Sequence, residues 1–259
     1  MIDIHTHILP ELDDGATELS VSVAQLKMMS EFGVKSVILT PHYMPNFYPT
    51  SKLTILEKLN VVQQKLNEEE IPINLIAGAE LFLEANSISL VKSEDLTIGN
   101  SNYVLVETNM SGFAADFNDN LFKLLRAGYK PILAHPERYL EIQRKPELAE
   151  DLMHRNVYMQ LNAGSLLGHY GKQVKKTAWH LLHQGWAHFL ASDNHCRSDK
   201  YPLEKAVKLV SHKIDDYTAK LLTEINPQKI LENDKVNMFY LESAAKKDGF
   251  FSRFRNSLF

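Results

Sequence analysis

Three times along this chain a helical-looking stretch closes on a glycine, and a short apolar run follows that ends in a chemically capable side chain. Leu19, Val23, Leu26 and Met29 share one helical face, Gly33 closes the stretch, and Val37-Ile38-Leu39-Thr40 leads to Pro41-His42. Leu121 to Ala127 closes on Gly128, and Pro131-Ile132-Leu133-Ala134 leads to His135. Leu181 and Leu182 precede Gly185, and His188-Phe189-Leu190-Ala191 leads to Ser192-Asp193-Asn194-His195. Helices that alternate with short strands in this way are the units of a parallel sheet. Unbroken apolar strands such as Val37-Ile38-Leu39 need burial on both faces, as parallel sheets provide.

Four more runs fit the scheme without a clean glycine cap. Ile2-Asp3-Ile4 leads to His5, Asn74-Leu75-Ile76-Ala77 to Glu80, Tyr103-Val104-Leu105-Val106 to Glu107, and Tyr158-Met159-Gln160-Leu161 to Asn162. In an open sheet only a few strand ends converge on a ligand, at a topological switch point. Here metal-ligand types follow six of the seven strands, and only a closed ring brings all those ends to one mouth. An α/β fold of seven strands closed as a β/α barrel is expected. Further helices are expected over Leu203 to Val210 and Tyr217 to Ile225, with a last short one from Asn226-Pro227 to near Ile230.

With 259 residues, 44% hydrophobic and 23% charged, the chain has the balance of a soluble globular protein, and a single domain over residues 1–259 is expected. Its net charge of −4 argues against a nucleic-acid partner. Cys196 is the only cysteine, so no intramolecular disulfide forms and a reducing compartment is expected. No apolar run approaches a transmembrane helix, and Met1-Ile2-Asp3-Ile4-His5 lacks the regions of a signal peptide. A cytoplasmic protein without stable membrane insertion is the expectation.

His5-Thr6-His7 places two imidazoles at i and i+2, on one side of a strand. Asp13-Asp14-Gly15 is turn-like, and His42, Glu80 and Glu107 stand just past apolar runs, where an unpaired charge is costly. His135-Pro136-Glu137-Arg138 and Asp193-Asn194-His195 complete the set. Each is weak alone, since a surface histidine or a buried arginine partner would explain it. Jointly they point to a multinuclear metal site. Imidazole and carboxylate without thiolate suit zinc, iron and manganese. So many ligands imply two or three ions, and such clusters suit phosphate ester hydrolysis.

In order and spacing these residues resemble the PHP (polymerase and histidinol phosphatase) superfamily, over nearly the whole chain. The resemblance is closer still to the bacterial PHP-type protein-tyrosine phosphatases of capsule and exopolysaccharide assembly. It is carried by residues 1–5 with Ile8-Leu9-Pro10, Asp13-Asp14-Gly15, Thr40-Pro41-His42-Tyr43, Gly78-Ala79-Glu80, residues 134–138, residues 160–165 and residues 192–195. It implies a distorted seven-stranded β/α (TIM-like) barrel, the PHP fold, with two or three divalent ions, manganese foremost and iron or zinc as alternatives. The implied ligands are His5, His7, Asp14, His42, Glu80, Glu107, His135, Asp193 and His195, with Asp13 the rival to Asp14 and Glu107 a bridge. Arg138 and Arg197 match the phosphate-binding arginines. A metal-bridging hydroxide is then expected to attack the phosphorus of a phosphotyrosine protein, a bacterial tyrosine autokinase of polysaccharide export. The alternatives are a small-molecule phosphatase of the histidinol-phosphate type and a PHP-type phosphodiesterase or nuclease. A non-enzymatic binding module would be expected to have lost ligands.

Cys196 has no role in that chemistry. The loop Tyr43-Met44-Pro45-Asn46-Phe47-Tyr48-Pro49 reads either as a wall that packs a phosphotyrosine ring or as a self-packed loop. His154, His169, His180, His183, His188 and His212 read as surface or packing residues, and Asn162 as a support for a ligand. The tail Phe250 to Phe259, with arginine among aromatics, reads as a terminus or an intramolecular clasp.

Overall fold

Side chains alternate along a strand, so each strand of a barrel must fill two places at once, the interior and the layer under the helices. The computed structural model describes residues 1–198 and 200–237, so the Phe250 to Phe259 tail lies outside the described residues. Its strands are β1 (Ile2–Asp3), β2 (Ser36–Leu39), β3 (His42–Tyr43), β4 (Asn74–Ala77), β5 (Glu80–Phe82), β6 (Tyr103–Glu107), β7 (Lys130–Ala134), β8 (Tyr158–Asn162) and β9 (Phe189–Ala191). The helices are α1 (Leu19–Glu31), α2 (Lys52–Glu68), α3 (Ser87–Glu94), α4 (Phe117–Arg126), α5 (Leu140–Arg144), α6 (Glu147–His154), α7 (Ala163–Leu167), α8 (Lys172–His183), α9 (Pro202–Lys213), α10 (Asp216–Lys220) and α11 (Asn226–Leu231).

All seven expected strands form, and β3 and β5 are additional. They continue β2 and β4 beyond short interruptions at Thr40-Pro41 and Gly78-Ala79. Pro41 has no N–H for the ladder, although its carbonyl still accepts from Glu80 N at 3.0 Å. The pairing therefore splits into β1-β2-β4 and β3-β5-β6-β7-β8-β9, all parallel. Chain continuity through the two interruptions joins these sheets into one course. Beyond β1 and β9 the ring closes through a parallel bridge between Thr6 and Asn194. Asp193 N donates to His5 O at 3.0 Å and His7 N to Asn194 O at 2.9 Å along the same seam. The barrel is distorted beside β4, where Gly99 N donates to Ala77 O at 2.8 Å.

Ile38, Leu105, Ile132, Ala134, Tyr158, Phe189 and Ala191 fill the interior with Ile2 and Ile4. Their neighbours Val37, Val104, Leu133, Met159 and Leu190 join the larger cluster under the helices. The helix α2 shows why such a segment is helical: Ser51 caps it by accepting from Thr54 N, and Ile55, Leu59, Val62 and Leu66 form one buried stripe. Each such side chain contributes roughly 1.5–3 kcal/mol on burial. At the bottom, Ile230 and Val236 join the interior cluster, and Tyr103 Oη donates to Asp234 O at 2.6 Å. The opposite end is left to polar residues.

Candidate metal centre

Six of the strands deliver polar residues to this one end. His5 and His7 follow β1, Asp14 lies in the loop to α1, and His42, Glu80 and Glu107 belong to β3, β5 and β6. His135 follows β7, while Asp193 and His195 follow β9. His135 and Asp193 take left-handed backbone angles, φ 38 and 53, a conformation costing about 1 kcal/mol or more that clusters at functional sites.

Three groups emerge in which candidate ligand atoms lie within 4.8 Å of one another. They are His5, His7 and Asp193; His42, Glu80 and Glu107; and His7, Asp14, His42 and His195. His135 joins through Glu80, its Nε2 lying 3.0 Å from Oε1. Glu80 is wholly buried, and its Oε2 sits 3.1 Å from His5 Nε2, 3.3 Å from His7 Nε2 and 3.1 Å from His42 Nδ1. Glu107 Oε1 lies 2.9 Å from the same His42 Nδ1.

The hydrogen bonds behind the histidines decide what the front can hold. His5 Nδ1 donates to Gln160 Oε1 at 2.8 Å, because the Gln160 amide nitrogen is already committed to Leu161 O and Asn162 Oδ1. His7 Nδ1 donates to Asp13 Oδ2 at 2.7 Å. In the neutral rings both Nε2 atoms then carry lone pairs, and they face each other 3.1 Å apart in a fully buried setting. Two lone pairs at that distance repel unless a cation or proton lies between them. His42 Nδ1 and Glu80 Oε2 are likewise buried without a hydrogen bond of proper angle. The donor set therefore fits divalent cations.

The titration behaviour has the same origin. Burial works to lower the His7 and His42 pKa values, but Asp13 and Glu80 hold His7 at about 10, and Glu107 and Glu80 hold His42 at about 11. Burial works to raise Glu80, yet His5, His135 and His42 keep it well below the usual carboxylate range. Burial and the neighbouring His7 push His195 down to about 4. A cation held here would take the place of the protons that the carboxylates otherwise keep on His7 and His42.

The adjacent aspartates separate cleanly. Asp13 accepts from His7 Nδ1, from His42 N at 2.9 Å and from Gly15 N at 2.9 Å. Burial opposes its ionisation, but the His7 contact brings its pKa to about 2. Asp14 faces His42 Nε2 at 3.5 Å and His195 Nε2 at 3.4 Å and pairs with Arg197. Gly15 makes the loop possible, since a Cβ there would stand 1.9 Å from His7 O.

Arg138 Nη1 donates to Asp193 Oδ2 at 3.2 Å, and Arg197 reaches the same mouth from the other side of Asp14. The mouth opens into a cavity of about 460 Å³, with Met110, Tyr170 and Pro202 among its apolar walls. His169 also lines it, beyond the packing role the sequence suggests. Phe47 is 73% exposed, and its loop closes on itself through Tyr48 N to Met44 O at 2.7 Å. Tyr48 stacks on His42, with ring centroids 5.8 Å apart, so the loop braces a ligand candidate. Cys196 is half-buried, and burial pushes its thiol up to about 12, which leaves it inert. Sequence patterning missed Gln160 as the support of His5, and Asn162 acts as expected, donating from Nδ2 to Asp193 Oδ2.

The model of the family described as "Capsular polysaccharide synthesis, CpsB/CapC" matches residues 1–232. The chain belongs to the CpsB/CapC family. Among CpsB/CapC relatives, the tyrosine-protein phosphatase YwqE of Bacillus subtilis is 29% identical over 91% of this chain and 93% of that protein. The tyrosine-protein phosphatase CpsB of Streptococcus agalactiae is 27% identical over 90% of this chain and 99% of its own. A solved structure from the pair YwqE of Bacillus subtilis and CpsB of Streptococcus pneumoniae, described as metal-dependent tyrosine phosphatases, has a TM-score of 0.87. It is 28% identical and covers 92% of this chain and 97% of that chain. A phosphotriesterase homology protein from Escherichia coli shares the fold, with a TM-score of 0.58 and 12% identity over 88% of this chain and 97% of that chain. Both the recognised family and the barrel expected from the sequence are borne out.

Proposed function

We propose that this chain is a metal-dependent protein-tyrosine phosphatase of capsular polysaccharide synthesis. The observation that carries the reading is the pair of buried Nε2 atoms of His5 and His7, brought to 3.1 Å of each other, with Gln160 and Asp13 engaging the Nδ1 atoms behind them. The tyrosine-specific part rests on the CpsB/CapC membership and on the relatives named as tyrosine-protein phosphatases.

His5, His7 and Asp193 would hold one divalent cation, and His42, Glu80 and Glu107 a second. His7, Asp14, His42 and His195 form a third group, and His135 completes the set through Glu80. Bound cations supply activation of water and polarisation of a phosphoryl oxygen. Gln160 and Asp13 fix the His5 and His7 tautomers, so that each ring presents its Nε2. Asn162 and Arg138 both hold Asp193 Oδ2, leaving Oδ1 to face His5 and His7. Arg138 and Arg197 stand at the mouth, where guanidinium groups stabilise charge developing on the phosphoryl oxygens. In hydrolysis the bond from phosphorus to the tyrosyl oxygen breaks. A phenol has a pKa near 10, so it leaves with less help from an acid than a serine alkoxide needs.

The substrate is a tyrosine-phosphorylated protein, a bacterial tyrosine autokinase, and the metal is manganese. The free thiol of Cys196 supports a cytoplasmic location. No described helix is long and apolar enough to cross a membrane. The continuous match over residues 1–232 supports reading the chain as one domain. The test compares a phosphotyrosine peptide, a phosphoserine peptide and histidinol phosphate as substrates of metal-stripped protein refilled with manganese, alongside His135→Ala. Preferential phosphotyrosine turnover, lost without metal and in the variant, is expected. Preference for histidinol phosphate would overturn the substrate, and full activity in the metal-stripped protein would overturn the mechanism.

A further inference from the structure

An arginine that must meet a phosphoryl group needs its guanidinium plane fixed, because a long flexible stem otherwise loses entropy at each encounter. Arg138 is held at one edge, where Nη1 donates to Asp193 Oδ2 at 3.2 Å. One edge contact does not set the plane. Arg138 Cζ also stands over the Tyr170 ring, 4.7 Å from its centroid. The two contacts together hold the guanidinium from two sides.

The chain around Tyr170 is shaped to put the ring there. The short helix α7 stops at Gly168, and the N–H groups of Gly168 and His169 both return to Gly164 O at 2.9 Å. The segment curls back over Gly164. A Cβ at Gly164 would come within 3.1 Å of Tyr170 Cε2 and 3.2 Å of His169 Nδ1. The missing side chain at 164 is what lets the ring settle against the cavity wall, while 40% of Tyr170 stays exposed at the mouth.

We propose that Tyr170 is a positioning residue that acts through Arg138: its ring is a shelf that orients the guanidinium toward an anionic phosphoryl group in the cavity, in space that Gly164 provides. The inference rests on the phosphatase reading above and names the device by which that site holds its anion. The benefit of the aromatic face comes from the ring quadrupole, so any aromatic side chain at 170 should preserve it and an aliphatic one should not.

The experiment uses the full chain refilled with manganese and inorganic phosphate as the probe. Calorimetry gives the phosphate dissociation constant for Tyr170→Phe, Tyr170→Leu, Tyr170→Ala, Gly164→Ala, Arg138→Ala and the Arg138→Ala/Tyr170→Ala double variant. Tyr170→Phe should bind as the parent does. Tyr170→Leu and Tyr170→Ala should each weaken binding about fivefold, the scale of a cation–π contact at a partly exposed site. Gly164→Ala should fall between, because it displaces the ring without removing it. The double variant should be no weaker than Arg138→Ala alone. Additive losses in the double variant, or a Tyr170→Leu protein that binds as well as Tyr170→Phe, would overturn the proposal, as would a parent that binds no phosphate. Thermal melting of each variant identifies any that misfolds, and Tyr170→Phe against Tyr170→Leu then decides. A parent that binds phosphate but leaves phosphotyrosine intact would overturn the phosphatase reading while this cycle still judged Tyr170.

Discussion

Buried histidines occur at both ends of the barrel, and they titrate in opposite directions. At the mouth, His7 is fully buried among Asp13 and Glu80 and is held at about 10. At the bottom, His188 is equally buried, its Nδ1 accepting from Met159 N at 3.1 Å and its ring packed edge-on against Tyr158. With no carboxylate to oppose it, burial alone pushes His188 down to about 3. The same residue at the same depth is thus made to favour positive charge at one end and neutrality at the other. Burial does not make a site; burial beside carboxylates does.

Removing the central carboxylate at the mouth is the hardest way to break this contrast. Glu80→Gln should lower phosphotyrosine turnover on the order of a thousandfold or more and cut the metal content measured by mass spectrometry, whereas His188→Gln should leave both near the parental level. Equal losses in the two variants would erase the distinction between the ends.

Gly15→Ala comes next. Its Cβ would collide with His7 O, so the loop carrying Asp13 and Asp14 must move, at a cost of several kcal/mol or loss of the loop conformation. Metal retention during dialysis should fall with little change in far-ultraviolet circular dichroism. Asp13→Asn should act more gently. It weakens the grip on the His7 tautomer, and metal affinity should drop by about 10- to 100-fold, read by competition with a chelator. An unchanged affinity would mean that Asp13 does not set that ring.

Acid sharpens the view of the bottom. His188 is neutral when folded down to about pH 3, whereas the unfolded chain takes up its proton near 6.5. The unfolded state therefore binds more protons in that window. The stabilising contribution is complete above about 6.5 and is lost progressively as pH falls toward 3, to an extent of a few kcal/mol. Urea unfolding across this range should show a steeper loss for the parent than for His188→Gln. Identical slopes would rule out the buried neutral histidine. The smallest effect belongs to Phe47→Ala: its side chain is mostly in solvent, and the ratio of phosphotyrosine to phosphoserine turnover should change less than about twofold.

Much of the mouth was legible because its residues stand at the ends of periodic apolar runs. His42, Glu80, Glu107, His135 and Asp193 each follow a strand whose pattern announces itself. What supports them was harder to see. The partner of His5 is Gln160, 155 residues away, and neither residue breaks a pattern that would mark the pair. The roles of Asp13 and Asp14 differ only in the direction their carboxylates take within one turn, which spacing does not encode. Tyr170 lies in a glycine-flanked turn with no periodicity at all. β3 and β5 are two and three residues long and follow Pro41 and Gly78-Ala79, breakers that read as strand ends until the backbone is seen to resume.

The bridge between Thr6 and Asn194 has a consequence for how the protein is made. His5 and His7 leave the ribosome early, and Asp193 and His195 only after most of the chain has followed. At synthesis rates of about 5–20 residues per second, the first two imidazoles wait on the order of ten seconds or more for their partners. Any cation they capture in that interval lacks the late carboxylate and imidazole. The complete set of groups exists only once β1 and β9 have met, so full metal loading at the proposed centre would certify that the ring has closed.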